Sequence, residues 1–313
     1  MLFNNEQIQD ILELVDFRFA DLVWKIFGPS HLTSQDKEKL RKFGVNPSSL
    51  VKNIPPYWAN WMFGLLSGKL SDYQAKQITY KDLLDYLARR QYETPSKREV
   101  ESYEVACNRT YGYLKGLGDK MKKDISSYIS DAELQTRMEQ ERVIKEGIKR
   151  GILERETTKL IASKISNQLD DWSRDWNRIV ETEYQGVFNM GRVQSYMREG
   201  EGEDTLVYFD VFPGACRFCI NLYLTGGIGS EPKIFKVKEL MANGTNIGRK
   251  TRDWKPTLLL PVHPNCRCLA RRYMKGDIWD KETRAFKQPE NYERKVASKA
   301  RVKIQVGDKV FNV

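Results

Sequence analysis

From Asn5 to about Gly200 the apolar positions recur at intervals of three and four with few intervening glycines, which predicts a largely helical stretch. Its breaks fall at Gly28-Pro29, Pro47, Pro55-Pro56 and Thr94-Pro95, where glycine and proline interrupt the pattern. Ser34, followed by Asp36 and Lys37, and Ser71, followed by Asp72, read as helix starts whose hydroxyls cap free backbone N–H groups. Beyond Ser96 the helical stretches lengthen and become more charged, and Gly151 is expected to end one helix before a second runs through Ile161 and Ile165, giving an angled pair. The last helix is expected at about Asp170 to Arg198. Trp172, Trp176, Ile179, Val187 and Met190 fall on one face of it, and Glu183 occupies the skipped position of that apolar stripe. A carboxylate on such a face needs a partner. Arg267 or Arg217 is the structural expectation, and a catalytic carboxylate is the functional one.

After Gly200-Glu201-Gly202 the pattern changes. Thr205-Leu206-Val207-Tyr208-Phe209 reads as a strand leading to Asp210. A stretch rich in glycine and lysine follows, with Gly226-Gly227, Gly229, Gly244 and Gly248, and loops of this length are uncommon unless something staples their base. Near the C-terminus Val302, Ile304 and Val306 alternate with polar residues, Gly307-Asp308 forms a turn, and Lys309 to Val313 returns as a second strand. An isolated hairpin is marginal in water, so it should pair with the body or with another protein. The class expected is α+β: a long, mostly helical N-terminal body, then a small loop-rich Cys/His module, then a hairpin-like tail. The divisions fall at 1–140, 141–200, 201–280 and 281–313.

Charge adds partners to this picture. Of 313 residues 30% are charged, with a formal net charge of +10, so polyanions attract the chain. Lys and Arg mostly interleave with Asp and Glu, as on solvated helical faces. The exception is the tail from Lys281, with nine Lys and Arg against four Asp and Glu, which suits nonspecific contact with double-stranded DNA or simple solubilisation. The N-terminus has neither a basic start nor an apolar core of a signal peptide, and no apolar run nears the ~20 residues of a membrane span, so no membrane anchor is expected. The most apolar run, Tyr57 to Leu66, reads as core or partner contact. Trp58, Trp61 and Phe63 in it are expected to exceed what a lone monomer covers.

The chemistry is concentrated in four of the five cysteines and one of the two histidines. They form Cys216-Arg217-Phe218-Cys219 and His263-Pro264-Asn265-Cys266-Arg267-Cys268. Thiolate and imidazole suit a tetrahedral Zn²⁺, and a C-x-x-C turn offers two sulfurs to one ion while a later segment returns with two more ligands. Five candidates compete for four places: Cys216, Cys219, His263 and Cys266, with Cys268 as the spare, because residues two apart on an extended segment point to opposite sides. Buried free thiols and a disulfide between the clusters are the alternatives.

These pieces in this order resemble the Mu F-like minor head proteins, or head morphogenesis proteins, of tailed bacteriophages. The resemblance spans about Val143 to Met274 and rests on several motifs. They are Ile144-Lys145-Glu146-Gly147-Ile148-Lys149-Arg150-Gly151, then Arg178-Ile179-Val180-Glu181-Thr182-Glu183 with Asn189-Met190-Gly191-Arg192, then Asp210 ahead of the C-x-x-C pair, and the final hexapeptide at 263–268, its most specific part. Glu181 stands where the family has the Arg of an Arg-Thr-Glu triplet. On this resemblance 141–200 would be the helices of the family core. The chain would be a virion component of the head or neck, made in the host cytoplasm and acting in head morphogenesis and DNA packaging at the portal vertex. Its partners would be portal and capsid proteins, and it would leave with the DNA in some cases. No enzyme is implied. The other readings are a metal-dependent nuclease or other activity centred on Glu183 and His263, and a zinc-containing DNA-binding protein.

Overall fold

A computed structural model describes residues 5–47, 54–89, 95–146, 150–246, 248–258, 263, 265–288, 303–306 and 308–312. The class is α+β, with most of the helices preceding the first strand and two short ones lying among the strands. Two compact units arise, one from residues 1–53 with 108–179 and the other from 54–107 with 180–313. Each is therefore discontinuous in sequence, whereas the segments expected from composition are consecutive.

In the first unit, α1 (Asn5–Phe27) is followed by a 3-10 turn at Pro29–His31 and by α2 (Ser34–Lys42). The start of α2 differs by one residue from expectation. Thr33 is the N-cap, and its side chain and that of Asp36 satisfy each other's backbone N–H groups in a capping box. The long helices α6 (Lys97–Glu146) and α7 (Arg150–Glu199) each contribute one part to this unit and one to the other. Val15 of α1 and Met121 and Ile125 of α6 form a core, against which Trp176 of α7 packs. Asp16 of α1 pairs with both Lys39 and Lys122.

Two expectations about α7 are corrected. Gly151 lies inside its first turn rather than ending a helix, and the helix expected at Asp170 starts twenty residues earlier, at Arg150. A single glycine costs a helix only ~1 kcal/mol, which neighbouring turns can absorb. α6 ends at Glu146, and residues 147–149 lie outside the described residues, as does the side chain of Trp172.

The second unit is built on α3 (Pro56–Ser67), α4 (Asp72–Lys76), α5 (Tyr80–Ala88) and the remaining parts of α6 and α7. Ser71 caps α4 as expected. The apolar run 57–66 is core: Trp61 is fully buried, its ring lies 5.0 Å from that of Trp58 and 5.5 Å from that of Tyr103, and Phe63 lies 5.4 Å from Phe188. The expectation that a monomer leaves these rings uncovered is corrected for Trp61. α3 crosses α7 closely. A Cβ added to Gly64 would lie 2.3 Å from the Phe188 carbonyl oxygen, and one added to Gly191 would lie 2.3 Å from that of Trp61, so only glycine permits this approach.

A three-stranded antiparallel sheet follows, with β1 (Leu206–Asp210) central between β2 (Ile234–Lys236) and β3 (Leu269–Arg272). Val207 and Phe209 of β1 face a core completed by Val193, Tyr196 and Met197 of α7, by Tyr223 of α8 (Arg217–Tyr223), and by Val237 and Leu240 of α9 (Val237–Ala242). The stretch between the cysteine clusters is thus not a plain loop; its short strand and helix supply apolar side chains to this core. Tyr208 packs 4.9 Å from Phe286 of a hairpin formed by β4 (Ile278–Asp280) and β5 (Ala285–Lys287). The terminal hairpin, β6 (Lys303–Val306) with β7 (Lys309–Asn312), forms in the expected register, Val306 opposite Lys309. Gly307 lies outside the described residues. Ile304, Val306 and Phe311 pack on Ala59, Leu66, Leu83 and Tyr86, and Lys309 pairs with Asp82 at 2.6 Å, so the hairpin docks on the body.

Candidate metal centre

The two cysteine clusters meet. Cys216 is the N-cap of α8 and Cys219 lies three residues on, within the first turn, so a one-turn spacing directs both thiols to one side. The second cluster starts with a tight turn in which the Cys266 N–H donates to the His263 carbonyl at 3.1 Å. Asn265 within it has φ 61°, a left-handed conformation that asparagine tolerates better than most residues. The turn brings the imidazole back over α8. His263 Nε2 lies 3.1 Å from Cys216 Sγ and 3.2 Å from Cys219 Sγ, and Cys219 Sγ lies 3.7 Å from Cys266 Sγ.

Cys216, Cys219 and His263 form one group whose ligand atoms lie within 4.8 Å of one another, and Cys219, Cys266 and Cys268 form a second. Cys219 belongs to both. The argument that alternation would separate Cys266 from Cys268 does not hold here, because the strand begins only at Leu269 and both thiols are buried. A tetrahedral ion about 2.3 Å from sulfur and about 2.1 Å from nitrogen separates its ligands by roughly 3.5–3.8 Å. The thiol and imidazole spacings are close to that, and the cluster can hold a metal ion. All the cysteines described are free, so no disulfide joins the clusters.

The protonated cluster is electrostatically tense. Hydrogen bonds from Cys219 and then Cys268 hold the Cys266 thiol down to about 3, whereas donation to Cys266, then to Cys268, and burial push Cys219 far up. Cys219 hydrogen-bonds Cys268 in the lowering sense, but donation to Cys266 and burial outweigh it and raise Cys268 to about 12. The contacts within the cluster thus favour the thiolate at Cys266 and disfavour it at Cys219 and Cys268. A cation would replace those protons and let several thiolates coexist.

α7 holds the second cluster in place through polar side chains. The Asn265 N–H donates to Thr182 Oγ1 at 2.9 Å. Asn189 donates to the Cys268 carbonyl at 2.9 Å and accepts from the Ala270 N–H at 3.0 Å, satisfying a strand edge as a neighbouring backbone would. Gln185 adds a bond to the same Cys268 carbonyl at 3.3 Å. Asn189 stands in the motif at 189–192, and its burial on the helix beside Val187 and Met190 marks it as a polar side chain that needs partners. Glu183 is buried, as its position on the stripe requires. Arg267 is exposed and Arg217 lies over the Phe218 ring, 4.9 Å from its centroid. Asp210 is engaged structurally, accepting from Arg271 Nε at 3.0 Å and Nη2 at 2.7 Å across the β1–β3 pair.

Among the described residues no other group of three or more His, Cys, Asp or Glu side chains converges in this way, and no helix is long and apolar enough to cross a membrane. His31 belongs to the first unit, where its ring lies 5.1 Å from that of Phe27. Compared with protein-family models, with curated proteins and with solved structures, the chain matches none.

Proposed function

We propose that the cluster is a structural zinc site and that the chain is a non-enzymatic minor head protein of a tailed phage. The observation that carries the metal reading is the convergence of Cys216 and Cys219 on His263 Nε2 with Cys266 adjacent. Cys216, Cys219, His263 and Cys266 are the ligands proposed, and Cys268 is the buried reserve. Soft thiolates with one imidazole favour zinc over harder ions, and four protein ligands leave no open position for substrate, as in structural rather than catalytic sites. In this role the ion staples α8 to the segment that α7 grips, fixing the sheet and the intervening stretch as one rigid contact module.

The head-protein reading rests on the motifs at 144–151, 178–192 and 263–268 and is supported by the meeting of the last two: Thr182 and Asn189 of the helical motif bond to Asn265 and Cys268 of the hexapeptide. Portal and capsid subunits are the proposed partners, and the basic tail is the proposed nonspecific DNA contact. Quantitative mass spectrometry of purified procapsids and virions tests this. The reading expects the chain in both or in procapsids alone, at low copy number relative to the capsid subunit. Absence from both particles would overturn it in favour of a zinc-containing DNA-binding protein.

A further inference from the structure

On the outer side of α8, away from the functions assigned above, a pocket of about 440 Å³ opens between that helix and the segment at 249–255. One wall is Arg217, Phe218 and Asn221; the other is Thr251, Arg252 and Trp254. Its aromatic rings contact each other, Phe218 to Trp254 with centroids 5.0 Å apart. Trp254 is half-buried, and its indole N–H donates to the Arg249 carbonyl at 3.2 Å, which fixes the ring. The segment is preformed. Asn246, itself buried, accepts from the Lys255 N–H at 3.0 Å and donates to the Lys255 carbonyl at 2.9 Å, closing the loop across its neck. A 3-10 turn at Thr251–Asp253 presents Arg252 at the rim.

The charge around the pocket is one-sided. Arg217 and Arg252 line it, and the segment that carries Arg252 also holds Arg249, Lys250 and Lys255, with Asp253 as the one acid between 249 and 255. Among the described residues no carboxylate pairs with Arg217, whose guanidinium lies over the Phe218 ring, while Arg252 Nε lies 3.7 Å from Asp253 Oδ1 in an exposed pair that a phosphate would have to displace. A pocket sized for one small molecule, walled by anchored aromatics and rimmed by guanidinium groups, matches a planar heterocycle attached to phosphate. Rings stack on a base of any sequence, and arginines meet the phosphate with their planar donor forks. A duplex hides its base faces in the stack, so the complementary ligand is unpaired.

We infer that this pocket binds an unpaired nucleotide, with the base against Trp254 and Phe218 and the phosphate on Arg217 and Arg252. The inference does not rest on the head-protein reading, since it follows from the pocket alone. Its link to the metal is mechanical, because α8 carries both Cys216 and Cys219 and holds one wall in position.

Fluorescence anisotropy of a fluorescein-labelled dT12 strand with the full zinc-loaded chain tests it. The expected result is binding that weakens about tenfold in Trp254→Ala and largely survives in Trp254→Phe, the second variant separating stacking from loss of fold. Arg217→Gln and Arg252→Gln should each flatten the dependence of log affinity on log salt by about 0.7, the value for one single-strand phosphate contact. The duplex of the same sequence should bind with no sensitivity to Trp254. Competition by dTMP at concentrations near those of dT12 would assign the site to free nucleotides, and competition by strands alone would assign it to nucleic acid; both uphold the ligand class. No binding of dT12 or dTMP, or equal binding by wild type and Trp254→Ala, overturns the inference.

Discussion

The crossing of α3 and α7 gives the same substitution opposite signs at two helical glycines. In Gly64→Ala the new methyl would sit 2.3 Å from the Phe188 carbonyl oxygen and 3.1 Å from Gly191 Cα. Carbon and oxygen in favourable contact stay about 3.3–3.6 Å apart, so the helices must separate by roughly 1 Å. The obstructing atoms are backbone, which cannot rotate away, and Trp61 and Leu65 on the same helix are fully buried and would lose contact. Overpacking of this kind costs about 1–3 kcal/mol or more, against a gain of at most about 1 kcal/mol from replacing glycine in a helix. The net expectation is a loss of roughly 1–2 kcal/mol. Gly112 on α6 is the control, because a Cβ there meets nothing within 4 Å, and Gly112→Ala should gain about 0.5–1 kcal/mol. Urea denaturation followed by circular dichroism at 222 nm reads both. Wild-type stability in Gly64→Ala, or equal damage from the two substitutions, would refute the reasoning.

Three further outcomes follow from named contacts. Cys219→Ser removes the thiol common to both ligand groups, so hydrogen exchange should quicken across 206–258 while the α6 amides stay protected; equal loosening of both would count against the staple. Asn189→Ala strands the Ala270 N–H and leaves the Cys268 carbonyl only the longer Gln185 bond, and should cost about 1–3 kcal/mol, read from the same urea curves, with Asn189→Asp recovering only the acceptor half. Lys309 and, after it, the Thr79 cap hold Asp82 down to about 2, below its unfolded value, so this contact stabilises the docked hairpin above about pH 4 and is lost as pH falls towards 2. Exchange at Lys303–Val306 should therefore rise over that window, and Lys309→Met should abolish the pH dependence.

Local chemistry was legible in the sequence where it is set by neighbours in the chain. The Ser71 cap, the strand at 205–209, the alternation at 302–306 and the ligand character of the cysteine clusters all depend on residues a few positions apart. What was not legible depends on distant partners. Gly64 and Gly191 look like weak helix positions until they face each other, and Trp61 looks surplus until Tyr103 covers it. Gly151 shows the converse: a local stop signal overridden within a long helix. Asn189 stood in a motif, but its role was not legible for the same reason, since its partners lie at Cys268 and Ala270. In the site itself, the alternation expected of Cys266 and Cys268 on an extended segment does not apply, because the strand begins only at Leu269.

The central claim is that one zinc ion joins α8 to the turn at 263–266, and elemental analysis of the purified chain tests it most directly. Protein prepared without chelator should carry one zinc per chain, retained through gel filtration, falling to near zero in Cys219→Ser. Cys107→Ser, which alters a buried thiol outside the cluster, should leave the content at one. A wild-type chain free of zinc and other transition metals, or zinc that persists at full stoichiometry in Cys219→Ser, would contradict the account.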